Sequence, residues 1–111
     1  DGDRARAFYQ DALGWEITTM PEMGYTMVST GPTGDQGPSE PGYIGGGMMQ
    51  RDEVFQGPII TVDVDGIDAA LSKTEQLGGK TVLEPTKIPD GPDIALFSDP
   101  EGNVVGLVTG M

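Results

Sequence analysis

The chain has 111 residues, 36% of them hydrophobic and 22% charged, with 18 acidic and 6 basic side chains and a formal net charge of −12. That size and balance suit one globular domain with a modest core, and the charge repels phosphate backbones, so nucleic acid is not an expected partner. Cysteine and histidine are both absent, which removes disulfides, thiolate nucleophiles, the commonest general base and the commonest zinc ligand. No apolar run is long enough to cross a bilayer and the first residues do not read as a secretory signal, so no membrane partner is expected and the expected location is the cytoplasm.

The stretch DGDRARAFYQDALG, residues 1 to 14, reads as an amphipathic helix. Ala5, Phe8, Tyr9, Ala12 and Leu13 follow the helical stripe, Asp1 stands at the N-cap and Gly14 at the C-terminal stop. Extended segments follow at 15 to 20 (WEITTM), 25 to 30 (YTMVST) and 43 to 49 (YIGGGMM). Between the last two, TGPTGDQGPSEPG is so dense in Gly and Pro that it reads as a mobile loop unable to hold a ladder, on the rim of a pocket or plainly in solvent. The glycines at 45 to 47 lack the spacing of a phosphate loop and no helix follows them.

The chain then repeats itself. PIITVDV (58 to 64) reads as a strand, and DGIDAALSKTEQLG (65 to 78) as a second helix. This helix shares with the first, without a gap, Asp1/Asp65, Gly2/Gly66, Ala5/Ala69, Leu13/Leu77 and Gly14/Gly78. Its stripe is Ile67, Ala70, Leu71, Thr74 and Leu77, with Asp65 as the expected cap. Strands are expected at 80 to 87, 93 to 98 and 103 to 108, the last two joined by the turn DPEGN. Helix plus three strands therefore occurs twice. Only the second helix has a strand before it, so the first module is expected to lack its opening strand in this chain.

Two βαβββ copies, with RARAFYQDALGW in the first and FSDPEGNVVGL in the second, resemble the vicinal oxygen chelate superfamily of glyoxalase I, bleomycin-resistance proteins and extradiol dioxygenases. The small single-domain bacterial glyoxalase-like members are the most similar. The resemblance implies an α+β fold. Two βαβββ modules (1–50 and 58–111, linked by 51–57) would form a cupped, barrel-like mixed sheet with the helices outside, often as a homodimer. It also implies a divalent metal in the enzymes, held by His, Gln or Glu on the first and last strand of each module. Here the last-strand position falls on Gly106 and the first-strand position of module two on Ile59, while Gln50 alone ends the fourth strand of module one. Hard divalent ions need several oxygen or nitrogen ligands, so the enzyme-type metal site reads as lost, with no metal, no cofactor and no catalytic residue expected.

Side chains alternate along strands. If Ile59 and Gly106 face the cleft, so do Thr61, Asp63, Val104 and Val108, while Ile60, Val62, Val64, Val105 and Leu107 lie under the helices. Asp63 and Asp65 share a face, but one acid beside a cap is thin support for acid–base chemistry. Six methionines stand in the chain, and Met lines adaptable apolar surfaces. Trp15, Tyr25, Tyr43 and Phe97 offer flat faces; Trp15 is read as structural, Tyr43 and Phe97 as pocket candidates. The expected pocket is Ile59, Thr61, Asp63, Phe97, Gly106, Tyr43 and Met48. The expected function is binding of a small apolar or aromatic molecule, with a cation favoured by the acidic field. The alternative is a metal-dependent lyase, isomerase or dioxygenase using unexpected ligands such as Gln50 or Asp63.

Overall fold

The computed structural model describes residues 1–21, 24–34, 37–88 and 91–109. Two compact units, Asp1–Gln50 and Arg51–Met111, divide the chain. Both are α+β, each a helix with strands of mixed or antiparallel pairing.

Unit 1 opens with helix α1 (Gly2–Leu13), capped by the Asp1 carboxylate, which accepts from the Arg4 N–H at 3.2 Å. It stops at Gly14, whose φ of 69° is the left-handed conformation glycine takes at least cost. Strands β1 (Glu16–Met20) and β2 (Tyr25–Ser29) pair antiparallel, and β5 (Gly45–Met49) adds to the other side of β2, giving the order β1-β2-β5. The Gly/Pro-rich loop corrects the sequence reading, because it does hold a ladder. Strand β3 (Thr33–Gly34) pairs antiparallel with β4 (Gly37–Pro38). Ser39 N–H donates to Pro32 O at 2.9 Å just outside the pair. Hydrogen-bonded and non-bonded pairs alternate, so Thr33↔Pro38 falls on a non-bonded rung, where the missing proline N–H costs nothing.

The helical stripe of α1 is correct in spacing but not in burial. No residue of α1 is buried, and Phe8 and Leu13 are 62% and 57% exposed. The helix is held instead by polar and aromatic contacts. Arg6 donates to the Thr26 hydroxyl at 3.3 Å and pairs with Asp3. Tyr9 stacks on Trp15 with centroids 5.1 Å apart and planes 6° apart, and Phe8 meets Tyr9 edge-on. Trp15 is thus a packing residue, as its place in the sequence suggests.

Unit 2 has β6 (Thr61–Asp63), α2 (Ile67–Gln76), β7 (Lys80–Lys87), β8 (Asp93–Ser98) and β9 (Val104–Thr109). The sheet order is β6-β9-β8-β7, with β6 parallel to β9 and the other pairs antiparallel. Strand β6 is shorter than the expected 58 to 64. Asp65 is not the cap of α2, which belongs to Gly66 in extended conformation with no side-chain bond. The reason is register: Val64 N–H still donates to Val108 O at 2.9 Å, so the chain leaves the sheet one residue too late for Asp65 to start the helix.

The core of unit 2 is Ile67 and Leu71 of α2 against Ala95 and Leu107, with Val64, Ala70 and Phe97 packed on it. Of the α2 stripe Ile67 and Leu71 are buried, Ala70 and Thr74 are half-buried, and Leu77 at its end is 72% exposed. Ile60 and Val62 were expected under the helices, yet they are 75% and 44% exposed. Helix α2 packs on β7, β8 and β9, and β6 at the sheet edge stays uncovered.

The β8–β9 turn is built on one side chain. Asp99 accepts from the N–H groups of Glu101 and Asn103, both at 2.9 Å, and from the Asn103 amide at 3.1 Å. These bonds, led by those from Asn103, hold its carboxyl below the ordinary value. The turn closes the sheet and its side chains are spent on doing so.

Candidate functional site

The two units are built separately, and each presents one sheet face away from its helix. In unit 2 that face carries Thr61, Leu96, Gly106 and Val108. The register pairs Thr61↔Gly106 and Leu96↔Gly106, so these three side-chain positions share one side. A Cβ at Gly106 would lie 2.7 Å from Thr61 Oγ1 and 3.4 Å from Leu96 Cδ2. The space a carboxylate would need there is filled by a hydroxyl and an isobutyl group. Asp63 pairs with Val108 on the same side and is exposed.

A groove of about 240 Å³ opens in unit 2, walled by Val54, Pro58, Ile59, Val82 and Val104 with Glu53, Gln56 and Gly57. Its floor comes from strand alternation. Val104 stands two residues before Gly106 on the face away from α2, and the segment 51 to 57 comes across to form the wall. That segment is ordered by Asp52, whose carboxylate accepts from the N–H groups of Val54 at 2.8 Å and Phe55 at 2.7 Å. Gln56 donates its amide to Glu53 O at 3.0 Å. Val82 enters by alternation, because its neighbour Thr81 pairs with Phe97 on the α2 side.

Of the expected pocket residues, Ile59 lines this groove and Thr61 and Gly106 lie together on the face beside it. Phe97 does not belong: it pairs with Val105, alternates with Leu96, and packs on the α2 core. Its parity in β8 is opposite to that of a residue facing Gly106, a fact that needs the β8–β9 register. Met48 is likewise turned the other way. It pairs with the buried Thr26, whose hydroxyl receives Arg6 of α1, so Met48 stands on the helix side of its sheet. Tyr43 is 42% exposed and lies in unit 1 with its ring on Gly31, where any Cβ would collide with it. Gln50 is exposed. Sequence reading missed Glu53, Val54, Gln56 and Val82. The Asp52-x-x turn signal was legible in RDEVF, whereas the β7–β8 register that sets the side of Val82 was not.

In unit 1 the face away from α1 carries Met20, Tyr25, Met27 and Met49, with Gly45 and Gly47 between them. The Tyr25 phenol lies over Gly47, in space a Cβ would occupy, and burial pushes that phenol's pKa up. Among the described residues, no three acidic side chains come together as a metal cluster, and no helix is long and apolar enough to cross a membrane.

Comparison with known proteins follows this geometry. Residues 1–31 match the model of the bleomycin resistance protein-like N-terminal family. No curated protein matches the chain. Among solved structures, a glyoxalase/bleomycin resistance protein/dioxygenase family enzyme from Burkholderia phytofirmans is 15% identical, covering 100% of this chain and 91% of that one, with a TM-score of 0.47. TnmS3 from Streptomyces, described as an antibiotic binding protein, is 21% identical over 100% of this chain and 88% of its own, with a TM-score of 0.42. A glyoxalase/bleomycin resistance protein/dioxygenase superfamily member from Sphaerobacter thermophilus is 23% identical over 99% and 89%, also at 0.42. The residues that form α1, β1 and β2 are thus similar to the bleomycin resistance protein-like N-terminal family.

Proposed function

We propose that the protein binds a small apolar or aromatic cation without chemically altering it, the divalent site of its enzymatic relatives having been lost. The observation that carries this reading is the unit 2 groove. Its aliphatic walls, with Glu53 and Gln56 among them, match the mostly apolar lining with a few polar groups that small-molecule sites use. Packing at Gly106 supports the loss of the metal ligand there, since Thr61 and Leu96 already fill the volume. The net charge of −12 raises the local concentration of cations around the groove. The antibiotic-binding description of TnmS3 is in keeping with this class of role. The reading extends to a homodimer in the cytoplasm, to be checked by sedimentation equilibrium.

The experiment is titration with a planar aromatic cation, acridine orange, against a planar anion of similar size, followed by calorimetry. Saturable binding of the cation, weakened at least about tenfold by Ile59→Lys, is the expected result. Equal binding of both dyes, or an Ile59→Lys variant that binds as the parent does, overturns the assignment to this groove.

A further inference from the structure

The open face of β1-β2-β5 carries a second grouping that the groove does not use. Met20, Tyr25 and Met49 stand in one cross-strand row, and Met27 stands in the next, opposite Thr18 and Gly47. Met27 is therefore diagonal to both Met20 and Met49. Diagonal cross-strand Cβ atoms are about 7 Å apart, within joint reach of two flexible thioether side chains. Met27 and Met49 are 48% and 42% exposed. Gly47 lets the Tyr25 ring lie down between them. The neighbouring Met48 is on the opposite face, which gives a built-in control.

Thioethers are soft donors that select soft monovalent ions over hard divalent ones, and an aromatic face adds attraction for a cation. The chain has no cysteine or histidine to compete for such an ion, and its acidic field favours cations in general. We infer that this face binds one soft monovalent metal ion of the Cu(I) or Ag(I) class, through the sulfurs of Met27 and Met49 with Met20 as the third donor, above the Tyr25 ring.

The test uses Ag(I), which needs no reductant, added to the whole chain in chloride-free buffer and followed by the ¹³C-methyl resonances of methionine. The expected result is a joint, saturable shift of Met20, Met27 and Met49 at about one equivalent, with Met48 unmoved. The double variant Met27→Leu/Met49→Leu, nearly isosteric and so expected to fold, weakens binding at least about tenfold, and Met48→Leu leaves it unchanged. The inference is overturned if no methyl resonance shifts saturably, if Met48 shifts with the others, or if the double variant binds silver as tightly as the parent, since the ions would then sit on scattered carboxylates. None of these outcomes bears on the unit 2 groove, which contains no methionine.

Discussion

Helices α1 and α2 share a sequence frame but not a way of packing. With Asp1 aligned to Asp65, the α2 positions that enter the core, Ile67, Ala70 and Leu71, fall opposite Asp3, Arg6 and Ala7. Where α2 buries aliphatic carbon, α1 offers a guanidinium to the Thr26 hydroxyl and an aspartate to that guanidinium. The apolar residues of α1 turn elsewhere, into the Phe8–Tyr9–Trp15 stack and outward to solvent. A repeated pattern thus keeps a helix in the same place while its N-cap changes from the Asp1 carboxylate to Gly66 and the energetic content of the interface changes between hydrophobic burial and hydrogen bonding.

The largest predicted difference follows from that contrast. Leu71→Ala is expected to cost about 2–5 kcal/mol by urea denaturation, because it empties a buried site, whereas Leu13→Ala in α1 should stay within about 0.5 kcal/mol, as exposed positions do. Equal losses at the two sites would break the comparison. Next comes Gly106→Ala, expected to cost about 1–3 kcal/mol by overpacking against Thr61. Adding Thr61→Ala should recover most of it, so the two changes are non-additive in the same denaturation experiment. A Gly106→Ala variant as stable as the parent would show that the face has room for a ligand side chain after all.

Arg6→Met probes unit 1 and should cost about 1 kcal/mol, since it leaves the buried Thr26 hydroxyl without its partner; double substitution with Thr26→Val should cost less than Arg6→Met alone. The smallest effect concerns pH. Because the folded-state pKa of Asp99 is lowered, its contribution is present above the unfolded carboxylate value and disappears as pH falls through the folded value. The thermal midpoint of the parent should therefore drop faster than that of Asp99→Asn between about pH 5 and pH 2. Parallel curves would mean the turn's hydrogen bonds do not depend on the charge.

Both helices and seven strands were legible because glycine stops, turn residues and apolar alternation are local signals. What escaped sequence reading depended on pairing between distant segments. Whether Phe97 faces Gly106 or α2 is decided by the β8–β9 register, and the side that Val82 takes is decided by the β7–β8 register, which pairs Thr81 with Phe97. Met48 and Met49 illustrate the same point, since one residue of register exchanges the two faces. The exposure of α1 was hidden for another reason: a helical stripe shows that a face is apolar, not that anything covers it.

Native mass spectrometry of the protein purified without chelator tests the central claim most directly. The account predicts a mass free of nickel, zinc, manganese and ferrous ion, unchanged after soaking with each, and a gain in mass when an aromatic cation is supplied. One tightly held divalent ion per chain would contradict it and return the protein to the metal-dependent enzymes it resembles.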